Sequence, residues 1–256
     1  MTDNPPATPL PEIGKLTVAE LIASLAAGLQ DFKTAPAFGL FFSAVYVLGG
    51  MALVALGAGT VAWTLTVSLG FPLIGPFAAV GLYEVSRRLE ADIPLKWGEV
   101  LGTVFREKDR QIPWLGAIVI FYFLFWTLLA HLLFALIMGP SALMNMSLDL
   151  FLTPRGMVLL IAESALGAAL AFFLFSFTAV SLPLLLDREI DFVTAMLVSL
   201  RTVRENLWVM LVWAAMIATL MLVALLPFFL GLFVALPVLG HATWHLYRRA
   251  LYDPVN

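Results

Sequence analysis

The chain contains no cysteine, which excludes disulfides, thiolate-bound metals and cysteine nucleophiles. Charge is scarce as well. Asp, Glu, Lys and Arg make up 12% of the 256 residues, against roughly a quarter in soluble globular proteins. A formal net charge of −3 leaves no basic footprint, so no nucleic-acid partner is expected. No Ser/His/Asp arrangement, HExxH run, phosphate-cradling glycine loop or nucleotide fingerprint occurs, so the chain is not expected to be an enzyme, and no cofactor is implied.

What is present is apolar. Hydrophobic residues account for 62% of the chain and the mean hydropathy is +0.99. Uninterrupted runs near the roughly 20 residues that cross a bilayer recur, too long for outer-membrane strands. The expected fold class is all-α, a polytopic membrane protein with six transmembrane helices at about 38–58, 60–83, 114–138, 157–182, 207–226 and 228–247. Residues 1–15 read as a disordered cytoplasmic tail because of Pro5, Pro6, Pro9 and Pro11, residues 16–251 as one transmembrane domain and residues 252–256 as a short tail. Met1 to Pro36 lacks a basic region followed by an apolar core, so insertion is expected to rest on the first internal span.

Three polar stretches carry amphipathic patterns: Thr17 to Phe32, Leu95 to Arg106, and an Asp191-capped pattern through Phe192, Ala195, Met196, Ser199 and Val203. Each precedes a pair of spans. Pro72-Leu-Ile-Gly75 before Tyr83 and Arg87-Arg88 is echoed by Pro237-Val-Leu-Gly240 before Tyr247 and Arg248-Arg249. The pattern suggests three repeats of amphipathic helix plus hairpin. On this map thirteen of the fourteen Lys and Arg residues share one side and Arg155 stands alone on the other. The positive-inside rule then places both termini in the cytoplasm of a bacterial inner-membrane protein.

Five residues are candidates for function. His241 and His245 lie four apart on one helical face, a spacing that suits haem iron or a transition metal if further ligands converge. Glu84, His131 and Glu163 are the available ligands, but His131 and Glu163 fall in the opposite half of the membrane. The preferred reading puts His245, Trp244 and Tyr247 in an interfacial aromatic band, with His241 hydrogen-bonded to a neighbouring helix. Glu163, a carboxylate at membrane depth, is either a protonatable group near His131 or a side chain reaching the headgroups. Glycine and proline at Gly70, Pro72, Gly75 and Pro76 predict a kinked or partly unwound helix.

Three stretches resemble a family of bacterial integral membrane proteins of unknown function, DUF2189. They are Gly70-Phe-Pro-Leu-Ile-Gly-Pro-Phe-Ala-Ala-Val-Gly-Leu-Tyr-Glu84, Ser181-Leu-Pro-Leu-Leu-Leu-Asp-Arg188 with Ala195 and Ser199, and Leu236-Pro-Val-Leu-Gly-His-Ala-Thr-Trp-His-Leu-Tyr-Arg248. The resemblance implies a polytopic inner-membrane protein and brings no activity with it. The expected partners are the lipid bilayer and other membrane proteins or a second copy. The expected role is a non-enzymatic structural, assembly or accessory component, the alternative a small permease or ion transporter using the second span and Glu163.

Overall fold

The computed structural model describes residues 11–57, 59, 63, 66–139, 142 and 148–252. Apart from a two-residue strand pair, the regular structure is helical. In chain order the helices are α1 Val18–Thr34, α2 Pro36–Ala55, α3 Phe71–Glu90, α4 Trp97–Glu107, α5 Ile112–Met138, α6 Leu148–Phe151, α7 Pro154–Thr178, α8 Ser181–Asp187, α9 Phe192–Glu205, α10 Leu207–Leu225 and α11 Leu232–Ala250. A π-helical segment, Thr66–Gly70, runs directly into α3.

Local chemistry explains the helix starts. Thr17 and Glu20 form a capping box at α1, the Glu20 carboxylate accepting from the Thr17 N–H at 2.7 Å. Asp191 caps α9 by accepting from the Thr194 N–H at 2.9 Å, as its place before the apolar pattern predicts. Proline occupies the first turn of α2, α5 and α7, where its missing N–H costs no helical bond.

Among the described residues, four helical segments are long and apolar enough to cross a membrane: Pro36–Ala55, Ile112–Met138, Pro154–Asp187 and Leu207–Leu225. Of the other two expected spans, 60–83 lies partly outside the described residues, at 60–62, 64 and 65, and neither its described helix nor that of 228–247 meets the same measure. In both α3 and α11 the later residues, from Glu84 and from His241, include several charged or polar side chains, among them the buried Glu84, Ser86, Arg88 and His241. Of the expected kink, Gly70–Gly75 is not unwound. The irregularity is the π turn that ends at Gly70, after which α3 continues through Pro76.

The polar ends of the helices meet in one layer. Glu12–Ile13 (β1) pairs antiparallel with Leu251–Tyr252 (β2), so the tail inferred from proline content gives way to structure before Lys15; residues 1–10 lie outside the described residues. Asn206 fastens the same corner, accepting from the Leu16 N–H at 2.8 Å and donating to the Gly14 carbonyl at 2.9 Å. Arg110 reaches Glu189 at 3.8 Å, and the Gln111 side chain accepts from the Phe192 N–H at 3.4 Å. Beyond this layer α2 packs against α3, α5 against α7 and α10 against α11.

Helix α1 packs most closely against α11. Its inward stripe is small and polar, Leu21, Ser24, Gly28 and Asp31, while Val18, Ile22 and Leu29 face outward. A Cβ at Gly28 would fall 2.5 Å from the Val238 carbonyl oxygen and the Ala242 nitrogen, so only glycine allows this approach. Outward apolar faces recur. In the best membrane-length windows of α5 and of α7 with α8, only 6% of residues are buried. This is the reverse of a water-soluble fold and requires apolar surroundings.

Candidate functional site

The densest polar chemistry lies in the last three turns of α11. His241 is fully buried and its Nδ1 lies 2.8 Å from the Ser86 hydroxyl of α3; its Nε2 is buried without a partner. His245 Nε2 meets the Asp31 carboxylate of α1 at 2.8 Å. The Trp244 indole N–H donates to Glu90 at 2.9 Å, and Arg248 Nε donates to the same carboxylate at 3.1 Å. The Tyr247 hydroxyl donates to Asp187 of α8 at 2.6 Å, and Arg249 donates to Ser24 at 3.3 Å. Successive side chains on this helix therefore address three different helices. Trp244 and Tyr247, each 1% exposed, form no interfacial band, because Glu90 and Asp187 draw their polar atoms inward. Exposed tryptophans lie elsewhere, at Trp97, Trp114 and Trp208.

His241 and His245 share a helix face but turn to different partners, Ser86 and Asp31, and do not converge on a common ligand position. Among the described residues no group of three or more His, Asp or Glu side chains could hold a metal ion.

Glu84, fully buried on α3, forms a second cluster. It accepts from Arg87 at 2.8 and 3.0 Å, from Arg88 at 2.7 Å and from the Thr103 hydroxyl of α4 at 3.3 Å. Arg88 continues to Glu99 of α4 and to the Pro94 carbonyl at 3.2 Å. Burial pushes the Glu84 carboxyl up, but the hydrogen bonds and charges of Arg87 and Arg88 outweigh it and leave the group below its ordinary value. The hydrogen bonds of Arg88 and Lys96 hold Glu99 low as well. All these acceptors are occupied, so the cluster welds α3 to α4.

His131 and Glu163 sit far from both clusters, on α5 and α7. The space above Gly167 is filled by Trp126, 3.4 Å from where a Cβ would stand. One helical turn further along each antiparallel helix brings Glu163 opposite Ala130 and His131, within electrostatic reach of the imidazole. His131 Nδ1 bonds to the Thr127 carbonyl at 2.7 Å, and the ring is exposed on a groove of about 470 Å³ walled by Trp63, Val67, Phe123 and Trp126. Val67 belongs to the π turn; Ile74 and Gly75, from the expected kink, line other cavities.

Similarity to a known family falls on α3 to α8, which carry the Gly70–Glu84 motif and the Ser181–Asp187 helix. Residues 63–187 match the family DUF2189, predicted integral membrane protein. No curated protein and no solved structure matches the chain. The DUF2189 region holds Glu84, His131, Glu163 and Asp187, but not His241 or His245, so the third stretch that resembled the family lies beyond the matched residues. Its last residue, Asp187, is the acceptor of Tyr247, which ties the DUF2189 region to α11. Asp31, Ser86, Glu90 and Asn206 were not among the candidate residues. For Asp31 a signal was present: Ser24, Gly28 and Asp31 form a small polar stripe, the kind that lets helices approach in an apolar medium.

Proposed function

We propose that the chain crosses the bacterial inner membrane six times with both termini cytoplasmic, as three repeats of amphipathic helix plus hairpin, and serves as a non-enzymatic structural, assembly or accessory component. The observation that carries the role is the α5/α7 hairpin. It presents two long apolar helices with almost no cover from the rest of the chain, while the buried Glu84 and the Asp31, Glu90 and Asp187 carboxylates are bonded within the chain.

The repeat reading is supported by how the amphipathic helices dock. Helix α1 packs on α11 of the third hairpin, α4 on α3 of the first, and α9 on α7 of the second. A hydroxyl meets the returning helix each time: Ser24 with Arg249, Thr103 with Glu84, and Ser199 with the Ser176 carbonyl at 2.9 Å.

The absence of cysteine makes the topology directly testable. Single cysteines at Leu56, Leu152 and Leu226, each about four-fifths exposed, are expected to react with an impermeant maleimide on intact cells. Cysteines at Lys108, Glu189 and Tyr252 should react only after permeabilisation. An unreactive Leu56→Cys or Leu226→Cys would remove the six-pass arrangement. For the role, co-purification from native membranes with mass spectrometry should recover a partner that is lost when α5/α7 surface leucines are exchanged for alanine; a chain that always purifies alone would sink it.

A second reading, a small permease or ion transporter, is favoured by one observation: His131 and the π turn share a groove with Glu163 in reach of the imidazole. Proton flux in proteoliposomes that is abolished by Glu163→Gln would establish it. Absence of flux in the parent protein would dismiss it.

A further inference from the structure

Two of the three amphipathic helices roof an apolar groove, and both grooves are built alike. Beneath α1, Ile22, Leu25 and Leu29 overhang a channel of about 550 Å³ between α10 and α11, running down past Val234 toward Pro227. Beneath α4, Leu101, Val104 and Phe105 overhang one of about 700 Å³ between α2 and α3, past Val45 and Leu48. Both have room for a hydrocarbon chain, and their linings are apolar side chains with no charged group.

Each roof ends in a lysine on the same stripe. Ile22, Ala26 and Leu29 are followed by Lys33 at helical spacing, and Leu101 and Val104 by Lys108. Lys33 is exposed and, among the described residues, makes no ion pair; Lys108 meets only its exposed neighbour Asp109, at 3.9 Å. An apolar channel with a cation one turn beyond its roof complements an acyl chain joined to a phosphate. The third roof differs: Phe192 of α9 stacks on Trp114 of α5 at 6.5 Å between ring centroids.

We infer that the grooves under α1 and α4 each hold one phospholipid, its acyl chain between the two helices of the hairpin and its anionic headgroup paired with Lys33 or Lys108. The phospholipid is a bound ligand of the fold, distinct from exchanging annular lipid.

The test uses the full chain, purified in mild detergent, washed, equilibrated with mixed micelles containing phosphatidylglycerol and phosphatidylcholine, and weighed by native mass spectrometry. Val234→Trp and Val45→Trp each fill one groove from a half-exposed position, so the fold is retained; unchanged melting and monodisperse elution check this. The parent is expected to retain phospholipid in both grooves with phosphatidylglycerol enriched. Each tryptophan variant should lose about half of it, and the pair nearly all. Lys33→Glu with Lys108→Glu should keep the lipid but lose the preference for phosphatidylglycerol. Complete loss of lipid on washing, or retention unchanged by both tryptophans, means annular lipid only and overturns the inference; an unaltered headgroup preference in the lysine variant overturns the phosphate pairing.

Discussion

Replacing Glu84 by glutamine removes one negative charge from the weld between α3 and α4 while keeping the side chain's shape. The structure sets the size of the effect. Removing one partner of a buried ion pair costs about 3–5 kcal/mol because the other charge is left uncompensated. Two features reduce that here. The Arg87 side chain is 38% exposed and can turn to water, and Arg88 keeps Glu99 and the Pro94 carbonyl. The expected loss for Glu84→Gln is therefore about 2–3 kcal/mol, at or just below the bottom of that range. It is measured as the shift in the unfolding transition of the detergent-solubilised protein followed by tryptophan fluorescence.

The same residue predicts a pH dependence. Its folded carboxyl lies below the ordinary value of 4.5, so its contribution is fully present above about pH 4.5 and is lost as pH falls through the lower folded value. The parent should thus lose stability on acidification more steeply than Glu84→Gln, the two converging at low pH. A shift below about 1 kcal/mol, within the range of an exposed surface pair, together with parallel acid limbs in parent and variant, would refute the weld.

Gly28→Leu places a side chain where a Cβ alone would stand 2.5 Å from the α11 backbone; overpacking of this kind costs about 1–3 kcal/mol, and α1 should separate from α11, read as new maleimide reactivity of Ser24→Cys. Asn206→Leu leaves the buried Leu16 N–H without its acceptor, a penalty of about 1–3 kcal/mol, and hydrogen exchange at Leu16 should accelerate; unchanged exchange would contradict the bond. Thr17→Ala removes the α1 capping box and should cost about 1 kcal/mol, visible as fraying of the first turn in exchange data.

Much of the helical layout was legible in the sequence because caps and periodicity are local. Asp191 starts α9, and the expected 95–106 and 207–226 segments lie within one or two residues of α4 and α10. The orientation of α1 was not legible. Periodicity finds an apolar stripe and a polar one, but in a membrane protein either can face the protein, and the inward stripe here is Ser24, Gly28 and Asp31. Nor could the sequence distinguish an aromatic band from a buried hub at Trp244 and Tyr247. That distinction depends on Glu90 and Asp187, which lie 154 and 60 residues away from their respective partners. Among the candidate residues, Glu84 was visible as a charge at a helix end. Its exclusion from solvent follows from α4 folding back over it, a tertiary event with no local signature.

The antiparallel pairing of Glu12–Ile13 with Leu251–Tyr252, reinforced by Asn206, turns a linear chain into a nearly closed loop. In such a loop the order of translation and the order of packing are separable. Glu12 and Tyr252, paired across β1 and β2, can be joined by a short linker that replaces the residues outside them, and a new pair of ends cut in the turn between α3 and α4 around Ala91 and Asp92, where Ile93 resumes pairing to the Arg88 carbonyl. A circularly permuted chain opened there would insert α4 with the α5/α7 hairpin first and still be able to assemble the same layer. What fixes this fold is then which helix roofs which hairpin, and the starting point along the chain is free to vary.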